Sequence, residues 1–189
     1  MVYNIIRCQK KSRKAVKTLR PISLIGGPVW RGQHRYGVNL GPDALRAAGL
    51  PDYLQSAGRS VADRGDILAR PGEKGARPPL RHLRAVADAS EQLAAAVSDA
   101  LTDGDFPLVL GGDHSVAIGS LASVARHARR TGVIWFDAHA DMNTPETTPS
   151  GNIHGMPLAA SIGLGHPALT SVGGFSGKIS PEDIVYIGL

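Results

Sequence analysis

The sequence predicts an α/β fold: a three-layer sandwich in which helices cover both faces of a parallel sheet. Three observations carry this. Short apolar runs recur at 22–26, 107–111, 132–136 and 184–188, the pattern of strands buried on both faces. Segments with helical spacing separate several of them. The polar clusters stand directly after strands, where open α/β sheets collect their ligands.

In chain order, residues 22–26 (Ile-Ser-Leu-Ile-Gly) read as the first strand, followed by a glycine-rich polar loop to Leu40. Gly41-Pro42-Asp43 opens a helix, because proline lacks an N–H that the first helical turn leaves unpaired anyway; Ala44, Leu45, Ala47, Ala48 and Leu50 continue it. A weaker strand covers 60–68, and the prolines and glycines of 70–79 make a loop. Residues 84–101 form the clearest helix, with Val86, Leu93, Val97 and Leu101 on one stripe. A strand at 107–111 turns through Gly112-Asp113-His114-Ser115 into a helix over 116–129. The next strand is 132–136, followed by a polar loop over 137–155, a short helix over 156–162 and a last buried-type strand at 184–188. The prediction is therefore about five parallel strands in one sheet. Residues 1–20 are expected to be a basic, disordered arm and 21–189 one partial α/β domain.

Composition narrows the function. Hydrophobic residues make up 42% and charged residues 20% of the 189, ordinary globular usage. No apolar run approaches the roughly 20 residues that a membrane helix needs, and the start of the chain has the wrong order of charge and apolarity for a secretory signal. A single cysteine, Cys8, rules out an internal disulfide framework and suits a reducing cytoplasm. The net charge of +5 suggests nucleic acid at first sight. However, seven of the 21 basic residues lie in the first 20 positions, and without them 14 basic residues face 16 acidic ones. The domain is mildly acidic, so neither nucleic acid nor membrane is expected as a partner.

The chemistry concentrates in Asp137-Ala138-His139-Ala140-Asp141, directly after an apolar strand. If the extended backbone continues past Phe136, alternate residues point one way and Asp137, His139 and Asp141 converge. Carboxylate and imidazole together suit a hard or borderline divalent cation such as manganese. His114, at the end of the preceding strand, can join that site. Asp113 has two readings: an orienter of an imidazole, or the N-cap of the following helix.

These residues carry a resemblance. Gly111-Gly112-Asp113-His114-Ser115 followed by Trp135-Phe136-Asp137-Ala138-His139-Ala140-Asp141 resembles the signature of the ureohydrolases, which include arginases and agmatinases. The stretch Asn143 to Pro157, with Thr148, Ser150, Asn152 and His154, is similar to arginases in particular, as are Gly26-Gly27-Pro28 and Gly41 to Arg46. The resemblance runs from about Ile22 to Leu189. It implies hydrolysis of L-arginine to L-ornithine and urea at a two-manganese site in a cytoplasmic homo-oligomer. His114, Asp137 and Asp141 would ligate one ion; Asp137 would bridge to a second, which His139 also holds. His154 matches the residue assigned to proton transfer, and Asn143, Thr148 and Ser150 match positions that hold the substrate α-carboxylate, which agmatine lacks. Asn152 reads as a turn residue.

The resemblance also implies residues that these 189 do not contain: a later Asp-x-Asp completing the metal pair, acids after the final strand, and a downstream glutamate for the guanidinium. The expectation is a sheet truncated after about five strands and an isolated chain with little or no activity. Two alternatives stand beside it: a noncatalytic remnant that at most binds metal, and a related ureohydrolase such as agmatinase.

Overall fold

The structure, a computed structural model, describes residues 19–71 and 78–189. The expected basic arm lies outside the described residues except for Leu19 and Arg20, as does most of the 70–79 loop.

Among the described residues five strands form: β1 (Ile22–Gly27), β2 (Val61–Asp66), β3 (Phe106–Gly111), β4 (Val133–Phe136) and β5 (Ile184–Ile187). Every strand pairing is parallel. The principal helices are α1 (Gly41–Ala47), α2 (Leu50–Ser56), α3 (Leu83–Thr102), α4 (Val116–His127), α5 (Pro157–Ser161) and α6 (Pro167–Thr170). The expected single helix after Gly41 is thus two. Gly49 takes a left-handed φ of 83° and ends the first, and Pro51 sits in the opening turn of the second. The α6 turn was not expected; its opening is marked by His166, whose Nδ1 accepts from the Ala168 N–H at 3.1 Å.

The strands do not make one sheet. They divide into a three-stranded sheet of order β2-β1-β3 and a two-stranded sheet β4-β5. In the first, the chain leaves β1 towards one edge through α1 and α2, then crosses back through α3 to the other edge. Parallel crossovers are right-handed, so reversing direction puts the two helical connections on opposite faces. β1 is the centre and is buried throughout, including Ser23, whose hydroxyl donates to Asp105 Oδ2 at 2.6 Å. β2 is an edge and carries Asp63, Arg64 and Asp66 after Val61 and Ala62. There Arg46 of α1 forks onto Asp63 (2.7 and 3.0 Å) and reaches Asp66 at 2.6 Å.

The two sheets are joined by side chains. Ile118 and Ala122 of α4 pack with Val86 and Ala94 of α3 and with Ile153, Ala160, Leu169 and Val172. On the β4-β5 sheet, Val133, Trp135, Ile184 and Tyr186 face Leu121 of α4 and Leu158 of α5. Their neighbours Ile134, Phe136, Val185 and Ile187 point the other way and are exposed. The last strand is therefore half-buried rather than buried, because helices cover one face only.

The α3–α4 contact depends on a missing side chain. A Cβ on Gly119 would lie 2.3 Å from the Ser90 carbonyl oxygen, a backbone atom that cannot swing aside. Gly119→Ala gains about 1 kcal/mol in helix propensity but must push α3 and α4 apart, so we expect a net loss of about 2 kcal/mol from overpacking. Denaturant unfolding reads this as a lower midpoint at unchanged slope; an unchanged or higher midpoint would contradict the packing.

Lys178 is buried, donating from Nζ to the Thr170 carbonyl and lying 5.5 Å from the Phe175 ring. Burial lowers its pKa from 10.5 to about 8, with Glu91 opposing the shift. Between those two values the unfolded chain holds a proton that the folded chain has lost. Stability should therefore rise with pH across that window, by about 3 kcal/mol in total. Thermal melts of the parent and of Lys178→Met check this: the rise should be present in the first and largely absent from the second.

Candidate metal centre

β3 and β4 belong to different sheets, yet the residues that follow β3 meet β4 and the residues that follow it. His114 comes from the Gly-Gly-Asp-His-Ser turn between β3 and α4. Its imidazole stacks on Trp135 of β4, with ring centroids 4.3 Å apart and planes 19° from parallel. Trp135 is 6% exposed, so a core residue serves as the platform for a polar ring.

His114 Nδ1 lies 2.9 Å from Asp137 Oδ2 and 2.8 Å from Asp141 Oδ2. One ligand atom from each of these three residues falls within 4.8 Å of the others. The two carboxylates converge because the backbone bends after Phe136. Asp141 adopts a left-handed φ of 49°, which aspartate tolerates better than most residues. Its carbonyl also accepts from the N–H groups of Leu158 and Ala159, which fixes the turn against α5. The expected continuation of strand geometry does not occur; the turn, not alternation, gathers the acids.

His139 points elsewhere. Its side chain is 82% exposed, with Nδ1 3.1 Å from Asp137 Oδ1, and its N–H donates to that same oxygen at 2.9 Å. Asp137 thus turns one oxygen towards His114 and the other towards His139. Tyr186 of β5 supports the loop, donating from its hydroxyl to the Ala140 carbonyl at 3.2 Å.

The electrostatics are those of a cation site. Burial opposes charging His114, but Asp141 and Asp137 outweigh it and hold the imidazole above its usual range. Burial likewise opposes the Asp137 carboxylate, and donation from His139 with the charge of His114 holds it below the usual range. Burial and the Asp141 charge push the Tyr186 phenol up. Asp141 Oδ2 is fully buried, and its contact with His114 Nδ1 at 2.8 Å lacks ordinary hydrogen-bond geometry. Two acids and one imidazole converging on one point fit a divalent cation, which would satisfy all three at once.

The same cleft is lined by His114, Asp137, His139, Asp141, Asn143, Thr148, Ser150, Asn152 and His154. Thr148 Oγ1 accepts from the Gly151 N–H at 3.0 Å, and Ser150 Oγ from the Asn152 N–H at 3.2 Å. Asn143 Oδ1 accepts from the Thr147 hydroxyl at 3.2 Å. Each of these side chains spends an acceptor on its own loop and keeps a donor to offer. Asn152, read above as a turn residue, is 6% exposed, and its Nδ2 lies 3.3 Å from His34 Nδ1. His154 follows Asn152 in a single 3-10 turn, Ile153–Gly155.

Comparison with known proteins bears on this arrangement directly. The profile described as "Arginase family" matches residues 20–189. The chain belongs to the arginase family. It is 57% identical over 175 residues to the arginase of Bacillus caldovelox, an alignment covering 90% of this chain and 58% of that protein. The native structure of the Bacillus caldovelox arginase at pH 5.6 superposes with a TM-score of 0.87 at 56% identity, over 90% of this chain and 58% of that one. The Entamoeba histolytica arginase in complex with L-ornithine superposes with a TM-score of 0.82 at 36% identity, over 90% and 58% of the two chains. This chain therefore spans a little under three-fifths of the length of these arginases. Within that span it shares their α/β fold and carries the His114, Asp137 and Asp141 cluster. Among the described residues no helix is long and apolar enough to cross a membrane.

Sequence reasoning passed over Trp135 and Tyr186 as parts of the site. The signal for Trp135 lay in the alternation along β4, where it shares the inward face with Val133. Tyr186 had no local signal; it reaches the loop only through the β4-β5 pairing.

Proposed function

We propose that this chain supplies one part of an arginase active site: the part that holds the metal through His114, Asp137, His139 and Asp141 and reads the substrate carboxylate. The observation that carries the reading is the position of Asp137, with one oxygen towards the His114–Asp141 cluster and the other towards His139. A carboxylate so placed suits two ions rather than one. The ions we infer are manganese, two per complete site, as the resemblance to arginases implies; carboxylate and imidazole donors with no thiolate are compatible with it. When bound, such a pair lowers the pKa of a shared water towards neutral and so supplies a nucleophile.

The chain's own residues do the rest. Asn143, Thr148 and Ser150 hold donors towards the cleft and read the α-carboxylate of L-arginine directly or through water. His154 carries the proton required by the departing ornithine amine, a task suited to an imidazole near neutral pH. Asp137 and Asp141 would hold the ions and balance their charge. Agmatine, which has no carboxylate, would leave the Asn143, Thr148 and Ser150 donors unpaired, so the reading is arginine rather than agmatine. A cytoplasmic, homo-oligomeric enzyme fits the single cysteine and the family.

The test is a chimera in which residues 20–189 replace the matching region of the Bacillus caldovelox arginase. With manganese it should release urea from L-arginine, lose this with Asp137→Ala, and act on agmatine at least about 100-fold more slowly, because donors placed for a carboxylate go unpaired. Equal or faster turnover of agmatine would overturn the arginine reading.

A further inference from the structure

The Asp113 side chain hydrogen-bonds no imidazole directly, and the N-cap of α4 is Ser115. Asp113 is 6% exposed, and both of its carboxylate oxygens are used. Oδ1 accepts from the Ser115 N–H at 3.0 Å and from the Ser115 hydroxyl. Oδ2 accepts from the Gly32 N–H at 2.8 Å, across 81 residues of sequence. The carbonyl of Gly32 in turn accepts from the His154 N–H at 2.9 Å.

We propose that Asp113 is a positioning residue that, through Gly32, sets His154 at its place relative to the His114–Asp137–Asp141 cluster. The proposal deepens the arginase reading and rests on it for the role of His154. Three further observations support the clamp. The Asp113 N–H donates to the Val29 carbonyl at 2.7 Å, so the loop after β1 is held at two points and cannot pivot about one. Gly112 has no room for a Cβ, which would stand 2.0 Å from the Val29 carbonyl oxygen. Gly32 has none either, since a Cβ would meet Asp113 Oδ1 at 2.6 Å and Ser115 Oγ at 2.8 Å. Two glycines thus allow the backbone approach that the carboxylate completes.

The wiring has a purpose that a plain structural bond would not serve. His114 and His154 sit on separate turns, 40 residues apart, with no direct hydrogen bond between them. Asp113 is bonded covalently to His114 and, by two hydrogen bonds through one glycine, to His154. Sites of this kind need their groups held to within about 0.5 Å of the productive geometry. A carboxylate alone can do this here. It offers two acceptor oxygens, whereas an amide offers one and would turn its nitrogen onto either Gly32 or Ser115, both of them donors.

Amide hydrogen exchange on the metal-free chain tests the wiring without any variant. Gly32 and His154 should open together, with the same protection and the same dependence on mild denaturant. If the two amides exchange through separate openings, the relay does not exist. Asp113→Asn should then speed exchange at Gly32 and His154 at least tenfold while Leu93 and Ile118 in the core stay protected. A second readout is line broadening by substoichiometric Mn2+, which falls steeply with distance. In Asp113→Asn the broadening at His154 should change by at least a factor of two relative to that at Asp141, whereas a variant that merely loosened the whole chain would lose both in proportion. Unaltered exchange at His154 with an unaltered broadening ratio would overturn the proposal. The exchange measurement needs neither metal nor turnover. A chain that failed to bind manganese would count against the metal ligands assigned above and leave the positioning result to stand or fall by itself.

Discussion

Replacing Asp141 by asparagine is expected to weaken Mn2+ binding by at least about 100-fold, given that losing even an outer-shell partner of a metal ligand costs 10- to 100-fold. Asp141 is 8% exposed and its Oδ2 is the fully buried oxygen without a well-directed hydrogen bond. Asparagine keeps the shape and tolerates the left-handed φ of 49°, so the turn against α5 survives and only the charge is lost. The neighbouring His114 then keeps a single acid partner, Asp137, at 2.9 Å. His139→Ala, in contrast, should weaken the first ion much less, because His139 lies outside the three-residue cluster and reaches only the far oxygen of Asp137. The free Mn2+ signal in electron paramagnetic resonance gives both affinities. Asp141→Asn binding within threefold of the parent, or His139→Ala as damaging as Asp141→Asn, would show that the converging atoms are not the primary site.

The second large effect is on turnover. A polypeptide of these 189 residues, purified and supplied with excess manganese, should release no more urea from L-arginine than its Asp137→Ala variant. Among the described residues one group of carboxylate and imidazole atoms converges, with three members, and His139 adds a fourth side chain beside it. Two divalent cations at contact distance repel strongly, and bridging carboxylates normally offset this. Here Asp137 alone is placed to bridge. Positioning of the guanidinium is a large part of the rate as well, and no acid among the cleft-lining residues remains free of the cluster to hold it. Urea release clearly above the Asp137→Ala blank would show that four ligands suffice. Set beside the chimera, this assay separates a defect in these residues from a need for the rest of an arginase.

Much of the architecture is legible along the chain because it is local. The apolar runs and helical stripes are properties of ten to twenty adjacent residues, and each becomes the element it suggests. Gly49 was the exception, since one left-handed residue divided a stretch whose composition reads as continuous helix. The motif Asp137 to Asp141 and the turn at His114 could likewise be located, because glycines and charged residues directly after apolar strands have few other places to go.

Which residue types gather at the carboxyl ends of β3 and β4 follows from their order along the chain, as does the family through their spacing. Which of them meet follows from packing between distant segments. Asp137 and Asp141 converge on His114 while His139 turns outward, because the backbone bends at Asp141 instead of running on as a strand. The division into two sheets depends on hydrogen bonds between strands, and the stacking of His114 on Trp135 on the packing between their ends. Asp113 finds Gly32 across 81 residues. Spacing along a chain carries the period of a helix or strand, but a contact between distant segments exists only once packing has chosen which of many buried donors stands opposite which acceptor.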